Sequence, residues 1–167
     1  AMQLSAGSEE LRNLLRFMVD DIKRAPSLHG DKILWVHLMP YYQQSLKAAF
    51  DYSPAHQIAA VDMAFCTMSD LTDADPFRAL AKKLIGNAMN GPYERKLALV
   101  DRLLDATHAD GVIHFCHWGC KQSSGGSALL REHLHEAGVP LLQLDGDGID
   151  ERNSHDGQIK TRLEAFF

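Results

Sequence analysis

Four short apolar segments, separated by stretches with helical periodicity, constrain the fold of this chain more than any other feature. The segments are residues 32–40, 59–66, 111–117 and 139–144. They are short and mostly rich in β-branched and aromatic residues, a pattern typical of buried strands rather than helices. The sequence therefore predicts four strands with helices between them.

Helix signals fill the intervals between these segments. Ser8 is placed as the N-cap of an amphipathic helix that contains Leu11 to Ile22 at three- and four-residue spacing. Asp75-Pro76 begins a second long helix, which ends near Gly86. The remaining predicted helices are a short one over 43–52, one from Gly91-Pro92 to about His108, one that Gly138 ends, and a closing one over 158–167.

Strands that alternate with helices require right-handed crossovers and a parallel sheet. The sequence therefore predicts an α/β fold, a three-layer α/β/α sandwich with a four-stranded parallel sheet in strand order 2-1-3-4, as one domain over residues 1–167. The order reverses between strands one and three. Ligands of open parallel sheets bind beyond the carboxyl ends of the strands at such a point. Residues 117–126, which follow strand three, are thus the predicted site.

Charge and hydropathy exclude several classes of function. A formal net charge of −5 does not fit a general nucleic-acid surface, which needs a basic stripe. No apolar run reaches the roughly 18 residues of a membrane span, and no secretory leader opens the sequence. Three cysteines, an odd number, do not indicate a disulfide framework. We expect a cytoplasmic protein that binds neither nucleic acid nor membrane.

The segment after strand three contains the strongest candidate for chemistry, Cys120. It falls in a loop that Gly119 can bend, and the next helix directs its free N–H groups and positive dipole end toward this loop. Such a place favours a thiolate, a negatively charged cluster or a phosphate. The candidate anion or substrate contacts there are Ser123, Ser124, Gly125 and Gly126. Cys116 and Cys66 are interpreted as buried core residues.

Other residues leave alternatives open. His114, Cys116, His117 and Cys120 are residue types that bind zinc, but strand alternation turns His117 away from His114 and Cys116, so zinc is not favoured.

The stretch 145–148 could bind a metal or form a capped turn, of which the turn is favoured. His37 is interpreted as a core histidine inside strand one. Tyr41 and Tyr42 either line a pocket or pack against the core.

Several motifs in order resemble one family. They are GPYERK at 91–96, ADGVIH at 109–114, HWGCK at 117–121, VPLLQLDGD at 139–147, RN at 152–153 and QIKTRLEAF at 158–166. Together they are similar to the C-terminal half of subunits of the 2-hydroxyacyl-CoA dehydratase family, the 2-hydroxyglutaryl-CoA dehydratase D-components. The resemblance is weak up to about residue 89 and strong after it.

The resemblance implies a pair of related subunits, each with two α/β domains and with three cysteines that bind a [4Fe–4S] cluster between them. An ATP-hydrolysing activator supplies one electron, and a ketyl radical of the acyl-CoA thioester then loses water. Related members reduce aromatic acyl-CoA rings. Cys120 matches the last cluster ligand of the family, which makes it the implied iron ligand. The resemblance places the other two ligands in an N-terminal domain.

The chain departs from the family because no cysteine precedes Cys66. We therefore expect that it lacks the N-terminal domain and is inactive and free of cluster alone. Its expected partners are that domain, a second subunit, the activator and an acyl-CoA, and its carboxyl edge should expose apolar surface around Trp118 and Tyr41 or Tyr42. The alternatives are a non-catalytic module for a nucleotide or CoA phosphate, and a subunit of a related acyl-CoA reductase.

Overall fold

The computed structural model of the chain describes residues 8–26, 29–66 and 74–167. The strands are β1 (Asp31–Val36), β2 (His56–Val61), β3 (Gly111–His117) and β4 (Leu141–Gly146). The helices are α1 (Glu9–Arg24), α2 (Gln44–Phe50), α3 (Asp62–Phe65), α4 (Pro76–Gly86), α5 (Glu94–Thr107), α6 (Lys121–Ser124), α7 (Ser127–Glu136) and α8 (Asp156–Phe166), with a 3₁₀ turn at Glu151–Asn153.

The four strands form one parallel sheet in the order β2-β1-β3-β4, which confirms the predicted topology. β1 and β3 lie side by side in its centre, with Ile33 opposite Gly111 and Val36 opposite His114. β2 lies on one side of this pair, next to β1, and β4 lies on the other side, next to β3. The reversal of strand order therefore lies between β1 and β3, where the sequence predicts it.

Alternating side chains bury both faces of the sheet. Leu34, Val36 and Val112 pack on one face against α5 and α7, whose buried residues include Val100 and Leu130. Ile33, Trp35, Ile113 and Phe115 pack on the other face against Leu46 of α2 and Ile159 and Leu163 of α8. Residues buried on both sides are typical of a parallel sheet covered by helices. The three-layer α/β/α arrangement is thus confirmed.

The predicted bounds of three strands differ from the structure, and strand four, predicted over 139–144, is β4 at Leu141–Gly146. The sequence predicts strand one to Pro40, but β1 ends at Val36, because His37 takes a left-handed conformation with φ 77° and turns the chain. The sequence predicts strand two over 59–66, but β2 covers His56–Val61 and the chain enters α3 at Asp62. Asp62 accepts the backbone N–H of His37, so a contact between distant residues sets both ends.

The predicted site over 117–126 contains one helical turn, α6, before α7 begins at Ser127. A side chain at Gly126 would overlap the ring of Tyr93. The absence of a Cβ at this position therefore lets α5 approach the start of α7. Gly138 follows α7 with φ 70°, which confirms the predicted helix end.

The amphipathic helix α1 is confirmed, with Ser8 as its N-cap. None of its residues is buried against the described part of the chain, and its apolar stripe, from Leu14 to Ile22, stays exposed. No helix in the described ranges has the length and apolar content that crossing a membrane requires.

Two adjacent leucines of α7 provide a test of the packing. Leu130 is fully buried under the sheet, whereas Leu129 is half exposed. We expect Leu130→Ala to lower the free energy of unfolding by about 2–5 kcal/mol, because it leaves a cavity in the core. Leu129→Ala should change it by about 0.5 kcal/mol or less. Urea denaturation followed by circular dichroism measures both, and equal losses would contradict the placement of α7.

Candidate functional site

Cys120 lies at the carboxyl end of β3, in the loop that leads into α6. Gly119 precedes it with φ 74°, a conformation that glycine adopts without strain, and the Cys120 N–H donates to the His117 carbonyl at 3.2 Å. The residue is neither fully buried nor fully exposed. A tight turn therefore brings its thiol to the crevice where the strand order reverses.

The side chain of His37, which follows β1, contacts this thiol. Its Nε2 lies 3.4 Å from Sγ of Cys120, and its ring stacks on the His117 ring at a centroid distance of 6.4 Å. Its Nδ1 is buried and has no hydrogen-bond partner among the described residues. The prediction that His37 is a satisfied core histidine inside strand one is therefore wrong. It lies beyond the strand and contacts the candidate thiol.

Burial, the charge of Lys96 and the neighbouring His117 together lower the pKa of His37 to about 4, with burial the largest cause. The ring is therefore neutral near pH 7 and carries one N–H. Depending on the tautomer, Nε2 either donates to the Cys120 sulfur or accepts its S–H. Either arrangement polarises the thiol.

A buried ion pair lies behind His37. Oδ2 of Asp62 is 3.4 Å from Nζ of Lys96, and both side chains are completely excluded from solvent. Oδ1 of Asp62 accepts the backbone N–H of His37 at 2.6 Å. The ammonium of Lys96 also lies 5.9 Å from the centroid of the Tyr93 ring.

Neither Asp62 nor Lys96 is among the candidate site residues that the sequence predicts, although Lys96 ends the GPYERK motif and a further signal was present. Lys96 occupies a position on the apolar stripe of α5, three residues after Tyr93 and four before Val100. Asp62 interrupts an apolar run. Charged residues at positions that helical or strand spacing assigns to the core need a partner, and each is the partner of the other.

Residues 123–125 form hydrogen bonds with β3 and with the preceding loop. The Ser123 hydroxyl donates to the Phe115 carbonyl at 2.8 Å and accepts the His117 N–H at 3.0 Å, which ties the loop to β3. The backbone N–H groups of Ser123 and Ser124 both donate to the Cys120 carbonyl, and that of Gly125 to the Lys121 carbonyl. These groups shape the loop around Cys120. Their predicted contact with an anion or substrate stays a prediction.

The other two cysteines lie apart from this site, and all three are free thiols. Cys116 is buried in β3, as predicted, where its sulfur accepts a hydrogen bond from Gln143 at 3.3 Å. Cys66 follows α3, donates to the Met63 carbonyl and is only partly buried at the edge of the core, so its prediction as a buried core residue is wrong. Burial raises the pKa of both thiols. Across residues 8–26, 29–66 and 74–167, no three His, Cys, Asp or Glu side chains form a group that could hold a metal.

The aspartate-rich segment after β4 forms the capped turn that the sequence favours. Asp147 accepts the backbone N–H groups of Ile149 and Asp150 and the side-chain amide of Asn153. These bonds, the one from Asn153 most of all, lower the pKa of Asp147 to about 2. The Tyr42 hydroxyl donates to the Asp147 carbonyl, so this tyrosine joins the β1 and β4 sides of the crevice.

The carboxyl edge also exposes large side chains. Trp118 is 55% exposed and Tyr41 is 67% exposed, as expected for this edge. Trp118 borders a cleft of about 230 Å³ between the end of β4 and α8. Its lining includes Arg152, His155 and Arg162. The cleft therefore combines an aromatic surface with two arginines and the carboxylate of Asp145 beside the Cys120 loop.

Comparison with known proteins identifies relatives of the chain. The sequence profile of the family described as "2-hydroxyglutaryl-CoA dehydratase, D-component" matches residues 1–167. The chain is similar to a benzoyl-CoA reductase subunit of Thauera aromatica, with 28% identity over 94 residues, 56% of this chain and 22% of that protein. It is also similar to the (R)-phenyllactyl-CoA dehydratase alpha subunit of Clostridium sporogenes, with 29% identity over 75 residues, 44% of this chain and 18% of that protein. Each match spans about a fifth of the relative's length.

We expect the three thiols to differ in reactivity. Cys120 should react with iodoacetamide faster than Cys66 or Cys116, because it lies in a loop and contacts a polarising imidazole, whereas burial raises the pKa of the other two and lowers their thiolate fraction. Mass spectrometry of peptides from a timed alkylation measures the three rates. An inert Cys120 would contradict its assignment as the accessible thiol of the site.

The buried His114 should make stability depend on pH. Burial, Lys96 and His37 lower the pKa of His114 to about 3. Below the pKa of an unfolded histidine, about 6.5, the unfolded chain binds a proton that the folded chain excludes. The free energy of unfolding should therefore be highest above that pH and fall, by at most about 1.4 kcal/mol per pH unit for this group, as the pH decreases toward 3.

His114→Gln should make this decline shallower, and His135→Gln, at an exposed position of α7, should not. Chemical denaturation at a series of pH values measures both slopes. A His114→Gln slope equal to that of the unchanged chain would show that His114 is protonated in the folded state.

Proposed function

This chain belongs to the 2-hydroxyglutaryl-CoA dehydratase, D-component family, and on that premise we propose that it forms the C-terminal α/β part of a subunit that dehydrates a 2-hydroxyacyl-CoA thioester. The placement of Cys120 is the observation that carries this proposal. The thiol occupies the crevice at the strand-order reversal, where open parallel sheets bind ligands. A reductase of acyl-CoA substrates is the related alternative, since one of the similar proteins is a benzoyl-CoA reductase subunit.

We propose that Cys120 is one iron ligand of a [4Fe–4S] cluster. Its sulfur suits that group, because it is a reachable thiol beside a polarising imidazole and can become a thiolate. Cys116 is buried within β3 and Cys66 lies after α3, so neither adds a second ligand next to Cys120. The remaining ligands would therefore come from outside this chain. A cluster held there would supply single electrons.

The proposed contribution of this chain is to hold and orient the Cys120 sulfur. The Ser123 bridge to Phe115 and His117 fixes the loop that carries Cys120, and His37 covers one side of the sulfur. The neutral His37 ring offers an N–H or an acceptor without adding a charge. The proposed partners are a second subunit, an ATP-dependent activator and the acyl-CoA.

The cleft beside Trp118 supports the CoA part of the proposal and also a second candidate, a non-catalytic module for a nucleotide or CoA phosphate. Arg152 and Arg162 line this cleft, although each pairs with an aspartate, Asp150 and Asp145 respectively. An aromatic ring and guanidinium groups that line one cleft suit an adenine nucleotide. Both candidates use this cleft, and only the dehydratase also requires Cys120.

Replacement of Cys120 separates the two candidates. In the complete enzyme, Cys120→Ser should lower both the iron–sulfur absorbance and the dehydratase activity by at least about tenfold, because the hydroxyl is a poor ligand for iron. Cys66→Ser is the matched control and should leave both within about twofold. Iron content, visible absorbance and turnover are measured on the same samples. Full iron content in Cys120→Ser would contradict the ligand assignment and favour the binding module.

A further inference from the structure

The backbone of His37 is strained, and one hydrogen bond holds it. A φ of 77° lies in the left-handed region, where the Cβ of any residue except glycine crowds the backbone. Such a conformation persists only where the surrounding structure enforces it. The enforcing contact is the 2.6 Å hydrogen bond from the His37 N–H to Oδ1 of Asp62, in the buried interior.

Asp62 is in turn held by Lys96. Oδ2 of the carboxylate faces the Lys96 ammonium at 3.4 Å, with both side chains fully buried. Within the described ranges, neither Oδ2 of Asp62 nor Nζ of Lys96 has a hydrogen-bond partner. A buried charge loses its hydration, so the opposite charge is what keeps each of them inside. The order of contacts thus runs from Lys96 to Asp62 to the His37 backbone.

The side chain of His37 also contacts the candidate thiol. Only 6% of the residue is exposed, and Nε2 lies 3.4 Å from Sγ of Cys120. A strand that continued past Val36 in the ordinary extended conformation would place this side chain elsewhere. The left-handed turn is therefore what directs the ring at Cys120.

We propose that the buried Asp62–Lys96 pair is a positioning device for Cys120 that acts through His37. Asp62 holds the His37 backbone in its left-handed conformation, Lys96 offsets the buried charge of Asp62, and the His37 ring limits where the Cys120 sulfur points. The inference rests on the proposed function, because it concerns the thiol that we assign to iron. The contacts from which it is argued all lie within this chain.

A merely stabilising role would not need these residue types. Apolar side chains of similar volume often replace a buried ion pair without loss of stability. They would not, however, accept the backbone N–H of His37. The two roles can therefore be separated by variants that keep or remove one acceptor oxygen.

The test uses the 167-residue chain and two matched double variants. Lys96→Met with Asp62→Asn removes both charges but keeps an acceptor oxygen for the His37 N–H. Lys96→Met with Asp62→Leu removes the acceptor and keeps a side chain that branches at Cγ. The measurement is the rate of Cys120 alkylation by iodoacetamide, with near-ultraviolet circular dichroism to show that both variants are folded.

We expect the Asn variant to alkylate Cys120 within about twofold of the unchanged chain, and the Leu variant at least about fivefold more slowly. The rate falls because the ring leaves the sulfur and no longer polarises its S–H. In a His37→Gly background the two double variants should react equally, since glycine removes the ring and accepts a positive φ without strain. This comparison shows whether Asp62 acts through the histidine.

Equal rates for the Asn and Leu variants with His37 present would overturn the proposal, as would a difference that persists after His37→Gly. The single variant His37→Gly keeps the buried pair, so it tests the ring contact even if the Leu variant does not fold. An unchanged Cys120 rate in that variant also overturns the proposal. The assay contains no cluster and no substrate, so its outcome is independent of the iron content of Cys120→Ser.

Discussion

The parallel pairing of β1 with β3 is the constraint on which the rest of this structure depends. These strands lie next to each other in the sheet but far apart in the sequence, and everything between them must cross over and return. Because both strands run the same way, their carboxyl ends meet at one edge, and His37 and Cys120 follow those ends. A contact between residues 83 positions apart thus results from strand pairing together with two local turns.

Sequence periodicity predicted the elements that have their own local cause. β3 is a short apolar segment after a helix, and α4 begins at Asp75-Pro76, where the aspartate accepts the N–H groups of Phe77 and Arg78. Strand order followed from the crossover rule, since few topologies connect four such strands. Where local pattern and tertiary packing agree, as in β3, the sequence was sufficient.

The ends of β1 and β2 could not be predicted in the same way, because a long-range contact determines them. Apolar residues resume after His37 and after Asp62, and nothing local opposes an extended chain there. The hydrogen bond from His37 to Asp62 ends both runs at once, and it exists only after β1 and β2 have paired. Of the site, the sequence therefore located Cys120 and its loop but not the histidine that contacts it. The role of Lys96 could not be predicted for the same reason, since its pairing with Asp62 is known only from the fold.

The buried charges also bear on how the crevice behaves electrostatically. Lys96 lies close enough to lower the pKa values of both His37 and His114, with burial as the larger cause in each case. Both histidines are therefore neutral near pH 7, and behind them the charges of Asp62 and Lys96 offset each other. The crevice thus presents a polarising but uncharged imidazole to the thiol. A protonated histidine in that place would attract a thiolate more strongly but would also compete with any metal cation for it, because a cation beside the sulfur repels another. Holding His37 neutral by burial therefore leaves the sulfur polarised without placing a cation beside it, as our proposal that Cys120 binds iron requires.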